Sequence, residues 1–264
     1  VTEPALSAIG LGAVHVTRHG PVAALTDVSL TIAKGEALAI VGRSGCGKTT
    51  LARLLAGLPP RGARVTGRLA WPGGTAPVGS ARRAGLGRRV AWLPQEAGAA
   101  LNPMLRIGDQ VAETLRAARS HAGARLVTTL LEETGLDPAL AARYPHEVSG
   151  GQAQRAALAC ALAQEPTVMV ADEPTSALDA ATAAAILRLL RDRTRERGLA
   201  LVLVTHDFAA AGMLCDRAVI LQAGRVVEHI AASTLLAPRS VAGRELAHAA
   251  RALRGADHCL TRAA

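Results

Sequence analysis

Three short runs rich in apolar and β-branched residues, 37–41, 167–171 and 199–204, punctuate the chain. Runs of that length predict strands, and 167–171 and 199–204, with no polar alternation, predict strands buried on both faces of a sheet. A fourth, 89–93, ends at Pro94. Shorter β-type runs at 10–16 and 28–33 come first, and 65–71 leads into the Pro/Gly-rich stretch 72–79, which reads as a hairpin strand and a loop. From 107 to 135 the period lengthens, with Ile107, Val111, Leu115 and Ala118 at helical spacings, and Pro138 and Pro145 punctuate the segment beyond. A second helix is predicted from Gly150 to about Gln164, and an amphipathic one over 180–197, stopped by Gly198. Runs 218–222 and 226–229 flank Ala223-Gly224 as a last hairpin, and 242–254 is helical. Strands on both sides of a helical block predict an α/β core with a helical subdomain inserted at about 97–165, and no internal repeat is present.

With 264 residues, half of them apolar, the chain can bury one large core. No run approaches the roughly 18 apolar residues of a membrane span, and no basic–apolar–small leader pattern opens the sequence, so the expectation is a chain not marked for secretion. The net charge of +9 comes almost wholly from arginines spread along the chain. Four aromatic residues, Trp71, Trp92, Tyr144 and Phe208, are too few for a base-stacking platform, so the charge reads as a solvated basic face rather than a nucleic-acid surface. Cys46, Cys160, Cys215 and Cys259 are widely spaced, which fits neither a zinc ribbon nor a disulfide framework and implies a reducing compartment.

Residues 42–49 read Gly-Arg-Ser-Gly-Cys-Gly-Lys-Thr, followed by Thr50, directly after the apolar run 37–41 and before a predicted helix at 49–57. A phosphate loop needs that placement: a strand delivers it, and a helix N-terminus receives the anion. Gly42, Gly45 and Gly47 allow a sharp turn with successive N–H groups facing phosphate oxygens, while Arg43, Ser44 and Cys46 fill the variable positions. Lys48 suits the β- and γ-phosphates, and the Thr49 hydroxyl suits Mg²⁺. Cys46 lies inside this loop, so alkylating it would obstruct a nucleotide. The pattern predicts nucleoside triphosphate binding.

Four further motifs come after it in order. Gln95 lies just past the run 89–93, where a long amide can reach a metal or water. Val148-Ser149-Gly150-Gly151-Gln152 opens a helix with a hydroxyl and two glycines, a second anion-binding terminus. The run 167–171 ends in Asp172, suited to Mg²⁺, and Glu173, suited to polarising an attacking water. His206 comes just after the run 199–204 and can contact a γ-phosphate.

In this order the motifs resemble the nucleotide-binding subunit of an ATP-binding cassette (ABC) transporter over roughly residues 8–230. The resemblance implies an α/β fold, a P-loop NTPase core with an N-terminal antiparallel β-subdomain and an inserted α-helical subdomain. It divides the chain into an ATP-binding core (1–96 and 166–235), the insertion (97–165) and a helical tail (236–264). It makes 42–49 the Walker A loop, Gln95 the Q-loop glutamine, and Ser149-Gly150-Gly151-Gln152 the signature that meets a partner's ATP. Asp172 becomes the Walker B aspartate, Glu173 the catalytic glutamate, Ser176-Ala177-Leu178-Asp179 the D-loop and His206 the switch histidine. Thr49, Gln95 and Asp172 are then the Mg²⁺ residues. Family members place an aromatic residue against adenine ahead of the P-loop, and counting back through Gly20 puts His19 at that position.

The run Ala100-Leu101-Asn102-Pro103, then Arg106-Ile107-Gly108-Asp109-Gln110, and Tyr144-Pro145-His146-Glu147 before the signature are similar to the dipeptide/oligopeptide/nickel importer group, and 224–228, Pro238 and 244–246 fit it loosely. That group implies ATP and Mg²⁺ as cofactors and a second ABC ATPase subunit, identical or paralogous, stacked head to tail. It further implies a separate transmembrane permease, a solute-binding protein engaged only indirectly, and a place on the cytoplasmic face of the membrane. No nucleic acid is expected. An ABC exporter ATPase, or a soluble ABC ATPase acting on nucleic acid, are the alternative readings. Only Cys259 lies in the tail, so no iron–sulfur cluster is expected there.

Overall fold

The computed structural model describes residues 4–118, 123–176 and 178–260, which leaves Ala177 of the predicted D-loop and the end of the predicted tail outside the described residues. Two sheets organise the chain. Strands β1 (Pro4–Thr17), β2 (Gly20–Ala33), β4 (Ala63–Trp71) and β5 (Gly74–Pro77) form an antiparallel sheet in the order β2-β1-β4-β5. Strands β3 (Ala37–Val41), β6 (Val90–Leu93), β7 (Val168–Asp172), β8 (Ala200–Val204), β9 (Arg217–Gln222) and β10 (Arg225–Ala231) form a six-stranded sheet in the order β10-β9-β3-β8-β7-β6.

In the larger sheet every neighbouring pair except β9–β10 is parallel. Its central strands β3, β7 and β8 are buried along their whole length because both faces are covered. Ala37, Ala39 and Val41 turn toward a helical core with Met169, Ala171, Leu201 and Leu203. Leu38 and Ile40 turn the other way with Val170, Val202 and Val204, onto the small sheet and helix α1 (Lys48–Leu55). The period of two thus survives as a choice between two apolar layers.

Helices α2 (Ile107–Ala118), α3 (Ala124–Glu133) and α4 (Gly150–Ala163) lie between β6 and β7 in sequence. The predicted helical stretch 107–135 is therefore two helices. Helix α5 (Ala180–Arg197) is capped by the Asp179 side chain at its start and by left-handed Gly198 (φ 68°) at its end. Two elements differ from the sequence reading. Strand β5 occupies part of the Pro/Gly-rich stretch read as loop, because Thr75 and Ala76 pair with Ala70 and Leu69 across a two-residue turn. Helix α6 (Phe208–Leu214) comes soon after His206 and is only two turns long, too short to show a period. Helix α7 (Val241–Leu260) closes the described chain. Among the described residues, no helix is long and apolar enough to cross a membrane.

Candidate functional site: a phosphate loop at the strand ends

Parallel strands β3, β8, β7 and β6 bring their C-terminal ends to one edge, and each carries a predicted site residue just beyond it. In an open parallel sheet this edge is where ligands gather. The phosphate loop leaves β3, His206 lies past β8, Asp172 and Glu173 end β7, and Gln95 lies past β6. Register fixes their depth, since Val204 pairs with both Ile40 and Asp172.

A cavity of about 700 Å³ at this edge is lined by Gly42, Ser44, Gly45, Cys46, Gly47, Lys48, Thr49 and Thr50, together with Gln95, Glu173 and His206. Gly47 has φ 106°, and a Cβ there would lie 2.5 Å from the Ala24 carbonyl oxygen, so both conformation and space demand glycine. The Lys48 ammonium donates to the Gly42 carbonyl at 2.9 Å and the Arg43 carbonyl at 3.1 Å, which folds the loop around its own cation. The side chain of Arg43 turns outward instead, 3.8 Å from Glu245 on α7, and does not line the cavity. The Ala223-Gly224 turn closes one wall: Gly224 N–H donates to the Cys46 carbonyl at 3.0 Å, and Thr26 N–H donates to the Gly224 carbonyl at 2.9 Å. Burial pushes the Cys46 thiol upward despite the nearby Lys48, so it is not an activated thiolate.

Asp172 is only 2% exposed, and burial, more than the adjacent Glu173, raises its carboxyl above the ordinary range. The Thr49 hydroxyl bonds to it and Lys48 attracts it, both in the opposite direction. Glu173 sits at φ 47°, a left-handed conformation that costs a non-glycine residue about 1–3 kcal/mol. Its N–H donates to the Val204 carbonyl at 2.9 Å, and its carbonyl accepts from the Ser176 hydroxyl at 3.1 Å, which hold the turn. Both carboxylate oxygens are engaged: Gln95 Nε2 donates to Oε2 at 3.3 Å, and His206 Nδ1 lies 3.1 Å from Oε1.

Other predicted residues stand apart from this cavity. Ser149 caps α4, its hydroxyl accepting from Gln152 N–H at 3.3 Å while Gln152 Oε1 accepts from Ser149 N–H at 2.9 Å. Ser149, Gly150, Gly151 and Gln152 do not line the cavity, nor does Asp179, whose carboxylate accepts from Thr182 N–H at 2.9 Å. His19, expected against adenine, is exposed in the β1–β2 turn, its N–H donating to the Thr17 hydroxyl at 3.2 Å, and it is not part of the lining. His15 does line the cavity, paired across the hairpin with Val22, beside Ala23 and Ala24. The ladder runs on through Val16–Pro21 and Thr17–Gly20 before turning, which carries His19 past the rim. A larger cavity of about 820 Å³, lined in part by Arg89, Thr167 and Leu199, opens at the opposite strand edge, where none of the phosphate motifs reaches it.

Comparison with known proteins agrees with this geometry. The family model described as ABC transporter matches residues 25–176. The oligopeptide transport ATP-binding protein OppF of Haemophilus influenzae is 38% identical over 210 residues, covering 78% of this chain and 62% of that protein. The chain thus spans less than two thirds of that relative's length. A Brucella ovis protein bearing a peptide import ATP-binding name is 37% identical over 239 residues, covering 89% of this chain and 74% of its own. Among solved structures, a dimeric post-hydrolysis state of the ATP-binding cassette MJ0796 bound to ADP and Pi superposes with a TM-score of 0.77 at 27% identity, covering 86% of this chain and 98% of that one. With the phosphate loop, both β7 carboxylates, Gln95 and His206 gathered at one strand edge of this fold, the chain belongs to the ABC transporter family, as an ATP-binding cassette.

Proposed function

We propose that this chain is the ATP-hydrolysing subunit of an ABC importer for peptides, working as a head-to-tail pair of cassettes. The observation that carries the reading is the convergence of Lys48, Gln95, Glu173 and His206 on one cavity, while the Ser149–Gln152 cap stands outside it. A triphosphate in the loop takes its hydrogen bonds from the loop N–H groups and from Lys48, whose ammonium exchanges its carbonyl partners for phosphate. Glu173, held at both oxygens by Gln95 and His206, is the base that orients and polarises the attacking water. The signature then serves the ATP of a second cassette, identical or paralogous, and closing the pair completes each site. Solved dimeric structures of the cassette MJ0796 support a pairing of cassettes.

The residues present fit Mg²⁺. Thr49, Asp172 and Gln95 offer only oxygen donors, and the raised Asp172 carboxyl is stabilised in its charged form by a cation. Among the described residues, no group of three His, Cys, Asp or Glu side chains forms a cage, which suits an ion that keeps phosphate and water ligands. When bound, the ion would neutralise charge on the β- and γ-phosphates.

The 97–165 insertion is the segment we assign to coupling, with the core at 1–96 and 166–235 and the tail from 236. It starts just after Gln95, and Met104 near its beginning is 79% exposed, an apolar side chain suited to a permease surface. A permease partner puts the chain at the cytoplasmic face of a membrane, with a solute-binding protein touching only the permease. The names of the relatives point to peptides as cargo rather than nickel. In the assembled transporter, Met104→Asp and Arg106→Glu should lower peptide uptake more than tenfold while basal hydrolysis by the cassette stays within about twofold. Photocrosslinks from position 104 should reach a membrane protein. Crosslinks to soluble proteins alone would remove the transporter reading.

His15 is assigned the adenine face. His15→Trp should tighten ATP binding through its larger ring, by up to about fivefold for about 1 kcal/mol of stacking. His15→Ala should weaken it and reduce preference for ATP over GTP, and His19→Trp should change neither. A calorimetric titration in which only the His19 variant responds would reverse the assignment.

A further inference from the structure

Gln154 is 4% exposed on α4, five residues past the signature serine, and its side-chain amide N–H donates to the carbonyl of Pro174. A carbonyl oxygen only accepts, so the NH₂ end must face it. That carbonyl lies immediately after Glu173, the left-handed residue whose carboxylate meets Gln95 and His206. The surroundings are close-packed. Leu93, Leu158, Pro174, Leu178 and Ile186 wall the contact, and a Cβ on Gly151 would lie 3.0 Å from Leu178 Cδ2. The first turns of α4 therefore rest on the segment that runs from Glu173 toward the Asp179 cap. Other bonds to the turn come from the core: Val204 through the Glu173 N–H, and Ser176 from within the turn itself.

We propose that Gln154 is a positioning residue that ties the signature helix to the Glu173–Pro174 turn, so that Ser149–Gln152 engaging a partner's ATP and Glu173 taking its place at the chain's own ATP move as one. Three features favour this over simple packing. A buried amide needs a partner, and here the partner is the backbone beside the strained Glu173. The bond crosses from α4 to the core at the point where a shift of the helix displaces the turn directly. Gly151, within the signature, faces Leu178 on the same segment with room for no more than a hydrogen, so helix and turn approach each other at two points rather than one. The inference rests on Glu173 being the base.

The test uses the full chain with ATP and Mg²⁺ and compares wild type, Gln154→Met, Glu173→Gln and the double variant. Gln154→Met keeps the volume and removes the donor. It should lower kcat by about 10- to 100-fold, the scale of a misplaced reacting group, with ATP affinity by calorimetry and KM unchanged within about twofold. Because Gln154 acts through Glu173, adding Gln154→Met to Glu173→Gln should lower the residual rate less than twofold. An unchanged kcat in Gln154→Met overturns the proposal, and so does a double variant in which the two losses multiply. A fall in ATP affinity that matches the fall in rate also overturns it, since the residue then supports the binding site at large. Should Gln154→Met not fold, Gln154→Asn, which withdraws the amide by one methylene, carries the same comparison. If Glu173→Gln itself hydrolyses at the wild-type rate, the reading of Glu173 fails instead, a result visible without any Gln154 variant.

Discussion

Glu173→Gln should lose ATP hydrolysis by about 10²–10⁴-fold, the usual contribution of a positioned general base, while its affinity for ATP stays near that of the wild type. Glutamine is isosteric, accepts hydrogen bonds through one oxygen, and keeps the turn at φ 47° in place, but it cannot take a proton. Its contacts to Gln95 and His206 involve the carboxylate end alone, so the phosphate loop and Lys48 are untouched. If the proposed pair closes on intact ATP and opens after hydrolysis, the variant should accumulate as an ATP-bound dimer on gel filtration with light scattering. Adding Ser149→Arg, which puts a bulky cation at the cap of α4 and leaves the chain's own cavity alone, should return it to monomer. Should the double variant close as readily as the single, the head-to-tail arrangement is wrong. If the isolated chain stays monomeric throughout, the reconstituted transporter is the place to compare the two variants.

The parts of this site that are readable in the sequence are those where chemistry and backbone geometry coincide. A phosphate loop needs glycines, a lysine and a hydroxyl in fixed order between strand and helix, and 42–50 has all of them. The β7 carboxylates are legible because an apolar run that stops abruptly at Asp172-Glu173 marks a buried strand end. Residues placed by tertiary register are not legible. His15 lies within β1 and His19 in the turn after it, and which one reaches the cavity depends on how far β1 and β2 run before turning. Both strands are 14 residues long, well beyond the predicted runs 10–16 and 28–33, and the register shifts between Ala8 and Val14 interrupt the alternation that would have marked their full length. Likewise Ala223-Gly224 reads as a plain hairpin turn, and only the fold reveals that it is stitched to Cys46 and Thr26 as a cavity wall. The Gln154–Pro174 bond spans 20 residues between an α4 side chain and a backbone carbonyl, and no local pattern announces it.

Lys48→Ala should weaken ATP binding by about 30- to 5000-fold, since truncating one partner of a buried, hydrogen-bonded charge pair costs about 2–5 kcal/mol. Two effects add in the same direction. The variant removes the cation that the β- and γ-phosphates would meet, and it removes the two bonds, to the Gly42 and Arg43 carbonyls, that hold the loop folded around the anion site. Gly45 and Gly47, both at positive φ, give the loop freedom to relax once the staple is gone, so the loss should extend to ADP as well as ATP. Arg43→Ala is the control within the same loop. Its side chain is 78% exposed and faces Glu245 across 3.8 Å of solvent-accessible surface, an ion pair of the kind that contributes little. It should bind ATP within about twofold of wild type. A calorimetric titration that gives Lys48→Ala the wild-type affinity, or that ranks Arg43→Ala as the more damaged, would show that the triphosphate is held elsewhere on the chain.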